Sequence, residues 1–137
     1  MRKLLAVLFC ASMLVIGGGC RTLALPVTSV APGGLTANKV RKAIIDAATG
    51  LGWTVTSAGE SVLEAKSPVK STGHGNYCLF VDIAYTATGY TIKYKDSGGM
   101  GYNEKSQTIG GKGGQWLSNL DFRIQRELAR MSLYTTD

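Results

Sequence analysis

The sequence predicts an α+β fold: a two-layer sandwich in which a four-stranded antiparallel meander carries an N-terminal and a C-terminal helix on one face, in the order α-β-β-β-β-α. Three observations lead there. Apolar residues recur at three- and four-residue steps near both ends of 36–133, the signature of amphipathic helices. Between those ends the period drops to two, the signature of half-buried strands. Short turn-forming stretches separate the alternating runs, which favours hairpins over long crossovers. Laying both helices on the aromatic-rich face of the sheet is the simplest way to bury three apolar surfaces.

Taken in order, "TANKVRKAIIDAATGLG" (36–52) reads as the first helix, with Val40, Ala43, Ile44, Ala47 and Leu51 on one stripe. Thr36 is a suitable N-cap, and Gly50 or Gly52 a suitable stop. "WTVTSA" then puts Trp53 and Val55 on one face, Thr54 and Thr56 on the other. After the turn "AGES", the run "VLEAKS" opposes Leu63 and Ala65 to Glu64 and Lys66. "PVKSTGHGN" reads as a loop, punctuated by Pro68, Gly73 and Gly75. "YCLFVDIAY" (77–85) is the strongest strand, with Tyr77, Leu79, Val81, Ile83 and Tyr85 on one face and Cys78, Phe80, Asp82 and Ala84 on the other. "TATG" turns the chain into "YTIKYK" (90–95), with Tyr90, Ile92 and Tyr94 inward. Residues 96–114 are glycine-rich and polar and read as a long surface loop, touched down by Met100, Tyr102 and Ile109. "QWLSNLDFRIQRELARMSL" (115–133) is the clearest helix, buried through Trp116, Leu117, Leu120, Ile124, Leu128 and Met131. Trp53, Tyr85, Tyr94 and Trp116 are the large core members expected.

The N-terminus has a different logic. Arg2 and Lys3 precede an almost unbroken apolar run over 4–16, then Gly17, Gly18, Gly19 and Cys20. A basic start, an apolar centre and small residues before a cut make a secretory signal. The run is shorter than the roughly 20 apolar residues of a membrane span. A Cys directly after small residues resembles the bacterial lipobox, although Gly17 stands where that pattern usually has Leu. The expected division is therefore 1–19 as lipoprotein signal peptide, 20–35 as flexible tether and 36–133 as a single α+β domain, with a diacylglycerol on Cys20. Arg21, being other than Asp, resembles the outer-membrane-sorted type.

Cysteine usage agrees with that. Of three cysteines, Cys10 falls in the removed segment and Cys20 carries lipid, so Cys78 is left without a disulfide partner. The net charge of +6 falls by two to +4 once Arg2 and Lys3 are gone. Charges are spread singly, with no basic stripe interleaved with stacking aromatics, so nucleic acid is not expected as a partner. A membrane, reached through the lipid on Cys20, is expected, and another envelope protein is the further partner class.

The segments "YTIKYKDSGGMGYN" and "GGQWLSNLDFRIQREL" resemble a family of small proteobacterial lipoproteins of uncharacterised function. Its members share a Trp shortly after the first helix, a Y-x-I-x-Y-x-D-S-x-x-(L/M)-x-Y segment and a Trp-led terminal helix. The matching positions are Trp53, Tyr90, Ile92, Tyr94, Asp96, Ser97, Met100, Tyr102, Trp116 and Leu120, across about 36–130. This chain has "GKGGQ" where members usually carry an aromatic-Asn pair before the helix Trp. The resemblance implies a lipoprotein and a small α+β domain, and brings no activity with it.

No motif in the chain assembles catalytic chemistry. His74, the one histidine, lies between two glycines with no nucleophile or orienting group at a motif spacing. His74 and Cys78 would give zinc only half of its usual four ligands. Asp82, Asp96, Asp121 and Glu127 are scattered, and "TIGGKGGQW" lacks the G-x-x-x-x-G-K-[ST] of a phosphate loop. Asp96-Ser97 is the most distinctive polar pair, suited to an Asx-type turn. No catalytic, cofactor or metal residue is assigned. The sequence therefore points to a non-catalytic cell-envelope lipoprotein facing the periplasm, acting by protein contact or as an assembly accessory. A module binding a small periplasmic ligand, lipid or peptidoglycan is the alternative. Phe80, Asp96, Ser97 and Tyr102 are the candidate contact or recognition residues.

Overall fold

The computed structural model describes residues 23–73, 75–98 and 102–134. Their order is β1 (Leu23–Ala24), β2 (Val27–Val30), α1 (Ala37–Gly50), β3 (Thr54–Gly59), β4 (Val62–Lys66), β5 (Lys70–Thr72), β6 (Gly75–Thr86), β7 (Gly89–Gly98), β8 (Tyr102–Asn103), β9 (Thr108–Ile109) and α2 (Gly111–Tyr134). The larger sheet has six strands, ordered β2-β7-β6-β4-β3 with β5 also on β6, and a smaller one runs β1-β9-β8. Every pairing is antiparallel. The expected four-stranded meander with both helices on one face is thus corrected to a two-sheet fold of nine strands and two helices among the described residues.

Each added strand has a physical origin. Residues 23–35 were expected as part of the tether and instead belong to the fold. Val27 and Ser29 are half-buried while Thr28 and Val30 are exposed, a period-two pattern only four residues long. Its ladder with β7 pairs Val27 with Ile92 and Ser29 with Tyr90. Without β2, one side of β7 would present unpaired backbone groups to solvent. Leu25, Ala31 and Leu35 flank the strand and are buried. Gly89 allows the close approach, since a Cβ there would collide with the Ser29 carbonyl oxygen.

The expected loop at 96–114 is likewise structured over most of its length. β7 continues to Gly98, and β8 and β9 pair Tyr102 with Ile109 and Asn103 with Thr108. The Asn103 side chain accepts from the Ser106 amide at 3.1 Å, closing the turn between them. Ile109 is fully buried, which fixes the small sheet to the core. Helix α2 begins at Gly111 rather than at 115, with Gly113 and Gly114 buried in its first turn. Glycine disfavours helix by about 1 kcal/mol, so propensity hides a turn that burial requires to be small.

One core joins the helices to the sheet: Val40, Ala43, Ile44 and Ala47 of α1, Leu117, Leu120, Ile124 and Leu128 of α2, and Leu63, Ala65, Leu79, Val81, Ile83 and Ile92 of the strands. Thr36 caps α1 by accepting from the Lys39 amide at 3.2 Å. The helix ends in a Schellman motif, with the Trp53 amide donating to the Ala48 carbonyl and the Gly52 amide to that of Thr49. Gly52 has φ +89°, the left-handed conformation this cap demands. Trp53 and Ala48 are both buried beside the cap, so the turn that ends the helix also seats the indole.

Between β4 and β5, Ser67 substitutes for a missing ladder bond. Its amide donates to the Leu79 carbonyl at 2.9 Å, while its Oγ accepts from the Leu79 amide at 2.9 Å. Its side chain is buried, so this acceptor has no ready replacement from water.

Two substitutions test these devices in urea unfolding. Gly52→Ala is expected to cost about 1–2 kcal/mol, the left-handed penalty, with added crowding because the new Cβ would sit 3.3 Å from Pro68 Cγ. Ser67→Ala is expected to cost about 1–3 kcal/mol by orphaning a buried amide. An unchanged urea midpoint in either variant would contradict the corresponding assignment.

Candidate functional site

The four residues singled out from sequence meet in one region but are divided by the sheet. On β6, Phe80 alternates with the buried Leu79 and Val81 and so faces outward. Across the ladder Val81 pairs with Tyr94 but Phe80 pairs with Asp96, leaving Lys95 as the extra residue of a β-bulge. The bulge inverts the alternation beyond Tyr94. Asp96 joins Phe80 on the outer face, and Ser97, opposite Leu79, turns inward. There the Tyr94 and Ser97 hydroxyls are 2.7 Å apart, and Tyr94 stacks on Tyr102 with centroids 3.7 Å apart and planes 8° from parallel. Tyr102 therefore joins the small sheet to the large one through Tyr94, whose hydroxyl is held by Ser97 from within β7. Asp96 accepts from the Ser97 amide at 2.8 Å, a local Asx-type bond made within β7 rather than at its end.

The outer face is a charged lattice that sequence reading did not assemble. Glu64, Asp82 and Lys93 lie side by side across β4, β6 and β7. Two carboxylates directly opposite each other repel. The bulged Lys95 offsets this, with Nζ at 3.3 Å from Glu64 and 3.7 Å from Asp82. The hydrogen bond to Glu64, and then the charge of Asp82, hold its ammonium above the usual lysine range. Lys66 Nζ lies 5.5 Å from the Phe80 ring centroid, so the outward aromatic is covered by a cation.

A second polar cluster ties β2, β7 and α2. Asp121 Oδ1 accepts from Ser29 Oγ at 3.2 Å and also from the Tyr90 hydroxyl, and its Oδ2 accepts from Gln125 Nε2 at 3.3 Å. Gln125 Nε2 also donates to Ser29 Oγ at 3.2 Å, closing the ring of bonds. Burial, reinforced by the Asp121 carboxylate, pushes the Tyr90 phenol well above its ordinary value of 10.0. Among the described residues no imidazole stands between Ser29 and the carboxylate, as nucleophile activation of the triad type needs. The cluster acts as a latch that holds the residues after Cys20 onto the last helix. Its members are 92 and 31 residues apart in sequence, so no local spacing announces it.

The third feature is a cleft of about 310 Å³ lined by Leu51, Trp53, Pro68, Val69, Lys70, Trp116 and Asn119. It forms where the Schellman turn, the corner between β4 and β5, and the start of α2 converge. Trp53 is buried, as expected of a core member, and Trp116 only partly so. Sequence reading placed both indoles in the core and missed that they also border an opening. The volume lies at the lower end of the range for small-molecule clefts.

Cys20, His74 and Met100 lie outside the described residues. Cys78 is a half-buried free thiol. Among the described residues, no group of three or more His, Cys, Asp or Glu is placed to hold a metal ion.

The latch has a pH signature. Because the Tyr90 phenol is raised in the folded state, its contribution is complete below the unfolded value near 10 and is lost as pH climbs above it. Tyr90→Phe is expected to lose about 1.5–3 kcal/mol at neutral pH, the range for a hydrogen bond to a charged group. The gap to the parent protein should narrow between pH 9 and pH 11, measured by urea unfolding. A constant gap across that interval would contradict the coupling. Compared with known proteins, the chain matches no family model, no curated protein and no solved structure.

Proposed function

We propose that the protein is a cell-envelope lipoprotein, anchored by a lipid on Cys20 and acting through binding rather than catalysis. The observation that carries this reading is the position of β1. The first described strand, β1, starts at Leu23, three positions after the Cys20 that closes the lipoprotein-like signal segment. Among the described residues no helix is long and apolar enough to cross a membrane. The domain would contact another envelope protein through the charged outer sheet face around Phe80, where Glu64, Asp82, Lys66 and Lys95 gather.

The cleft between Trp53 and Trp116 favours a second reading, in which the domain receives a small ligand or an extended segment of a partner. Indole rings beside Lys70 and Asn119 offer an apolar wall with polar groups at its rim.

Intact mass of the membrane-extracted protein tests the anchor. A chain beginning at Cys20 and carrying diacylglycerol and acyl mass is expected, with that mass lost in Cys20→Ser. A water-soluble chain without lipid, or one retaining residues 1–19, would contradict the proposal.

A further inference from the structure

Covalent geometry limits how far the domain can stand from its anchor. From Cys20 to Leu23 is three residue steps, which span at most about 11 Å. A tether lasting to Leu35 would have allowed about 50 Å. The interfacial layer of a bilayer is itself about 5–8 Å thick on each side. With Cys20 lipidated, Leu23 stays within about 11 Å of the anchor, at the headgroups or just above them.

Beside β1, a cleft borders the outer side of α2. Leu23 and Val27 share a small cleft of about 160 Å³ with Ser118, Asp121, Phe122 and Gln125. Phe122 is 64% exposed, unusual for a large aromatic. Leu133, eleven residues on, falls within about 20° of it around the helix axis and is 73% exposed. Val30 at the end of β2, 83% exposed, borders the same helix at Gln125 and Ala129. Three of the four large exposed hydrophobics among the described residues are thus gathered along one side of α2, next to the strand nearest the anchor. Arg126, one turn beyond Phe122, is exposed on this side and makes no ion pair with a described residue.

We infer that this face of α2 docks on the anionic lipid surface holding the anchor, with the Phe122 ring in the interfacial layer and Arg126 among headgroup phosphates. Apolar side chains entering the acyl boundary beside basic ones at the headgroups are the means by which a helix lies on a membrane. The docking rests on lipidation of Cys20. One acyl-anchored residue places the face, and the exposed side chains then orient the domain on the bilayer.

The test uses the full lipidated protein, with Cys78→Ala, in phosphatidylethanolamine–phosphatidylglycerol vesicles. A nitroxide is placed at Phe122→Cys and, as a control, at Thr56→Cys. Thr56 is exposed on β3, at the opposite edge of the large sheet from β2 and about 19 Å away by strand spacing. Docking predicts that the label at 122 collides several-fold less with a water-soluble nickel reagent than the label at 56, and more with oxygen. A lipidated chain, verified by mass, in which both labels meet nickel equally would overturn the docking while leaving the anchor intact. A chain lacking the lipid mass would overturn both. Shielding at 122 that persists for the Cys20→Ser chain in buffer would assign the face to a second copy, and would also overturn it.

Discussion

The pairing of β2 with β7 is the constraint on which the rest of this structure depends. It completes the ladder of β7, covers one edge of the large sheet, and brings Leu25, Ala31 and Leu35 into the core. The Asp121 carboxylate then locks the strand to α2 through Ser29, while Tyr90 secures the same carboxylate from β7. Charge-assisted bonds of this kind are stronger than neutral ones, and their partial burial shields them from competing water. Remove β2 and the pairing of the β7 edge and the Asp121 latch are lost together.

How much of this is legible in the sequence depends on the length of each pattern. The periodicities of α1, of the inward row Leu79, Val81, Ile83 and of the buried stripe of α2 are long enough to read directly, as are Thr36 and Gly52 at the ends of α1. The four residues of β2 and the two-residue strands β1, β8 and β9 are too short for period two to be distinguished from chance. Their partners come from the far end of the chain, and tertiary pairing decides their conformation. Likewise the bulge at Lys95 leaves "YTIKYKDS" looking uniform, yet it exchanges the faces of Asp96 and Ser97, sending Asp96 outward and Ser97 inward. Of the candidate contact residues, Phe80 and Asp96 lie on the outer face of the sheet, while Ser97 faces inward beside the Tyr94–Tyr102 stack. The cleft beside Trp53 and Trp116 could not be seen at all, because an indole at a core position reads the same whether or not an opening adjoins it.

Helix α2 serves several purposes by presenting different residues around its axis. Leu117, Leu120, Ile124 and Leu128 face the core, and Asp121 faces β2. Trp116 borders the cleft. Phe122 lies six residues further on, about 9 Å along the axis and about 120° around it. A domain held down on the Phe122 side would therefore keep its aromatic cleft turned to a different direction. The charged outer face of the large sheet, with Lys95 between Glu64 and Asp82, is set apart again by the thickness of the sheet. The proposed short anchor at Cys20 would give each of these surfaces a defined aspect relative to the membrane.

The most direct test is hydrogen–deuterium exchange of the backbone amides of Val27–Val30 in the folded protein. If β2 is a strand of the sheet, the amides that it donates to β7 will be protected to a degree comparable with those of Tyr90–Ile92, and Ser29→Ala together with Asp121→Ala will reduce that protection first on the β2 side. Exchange of residues 27–30 at the rate of a free chain, while β6 and β7 remain protected, would mean that the segment after Cys20 is a tether, and the account built on it would fail.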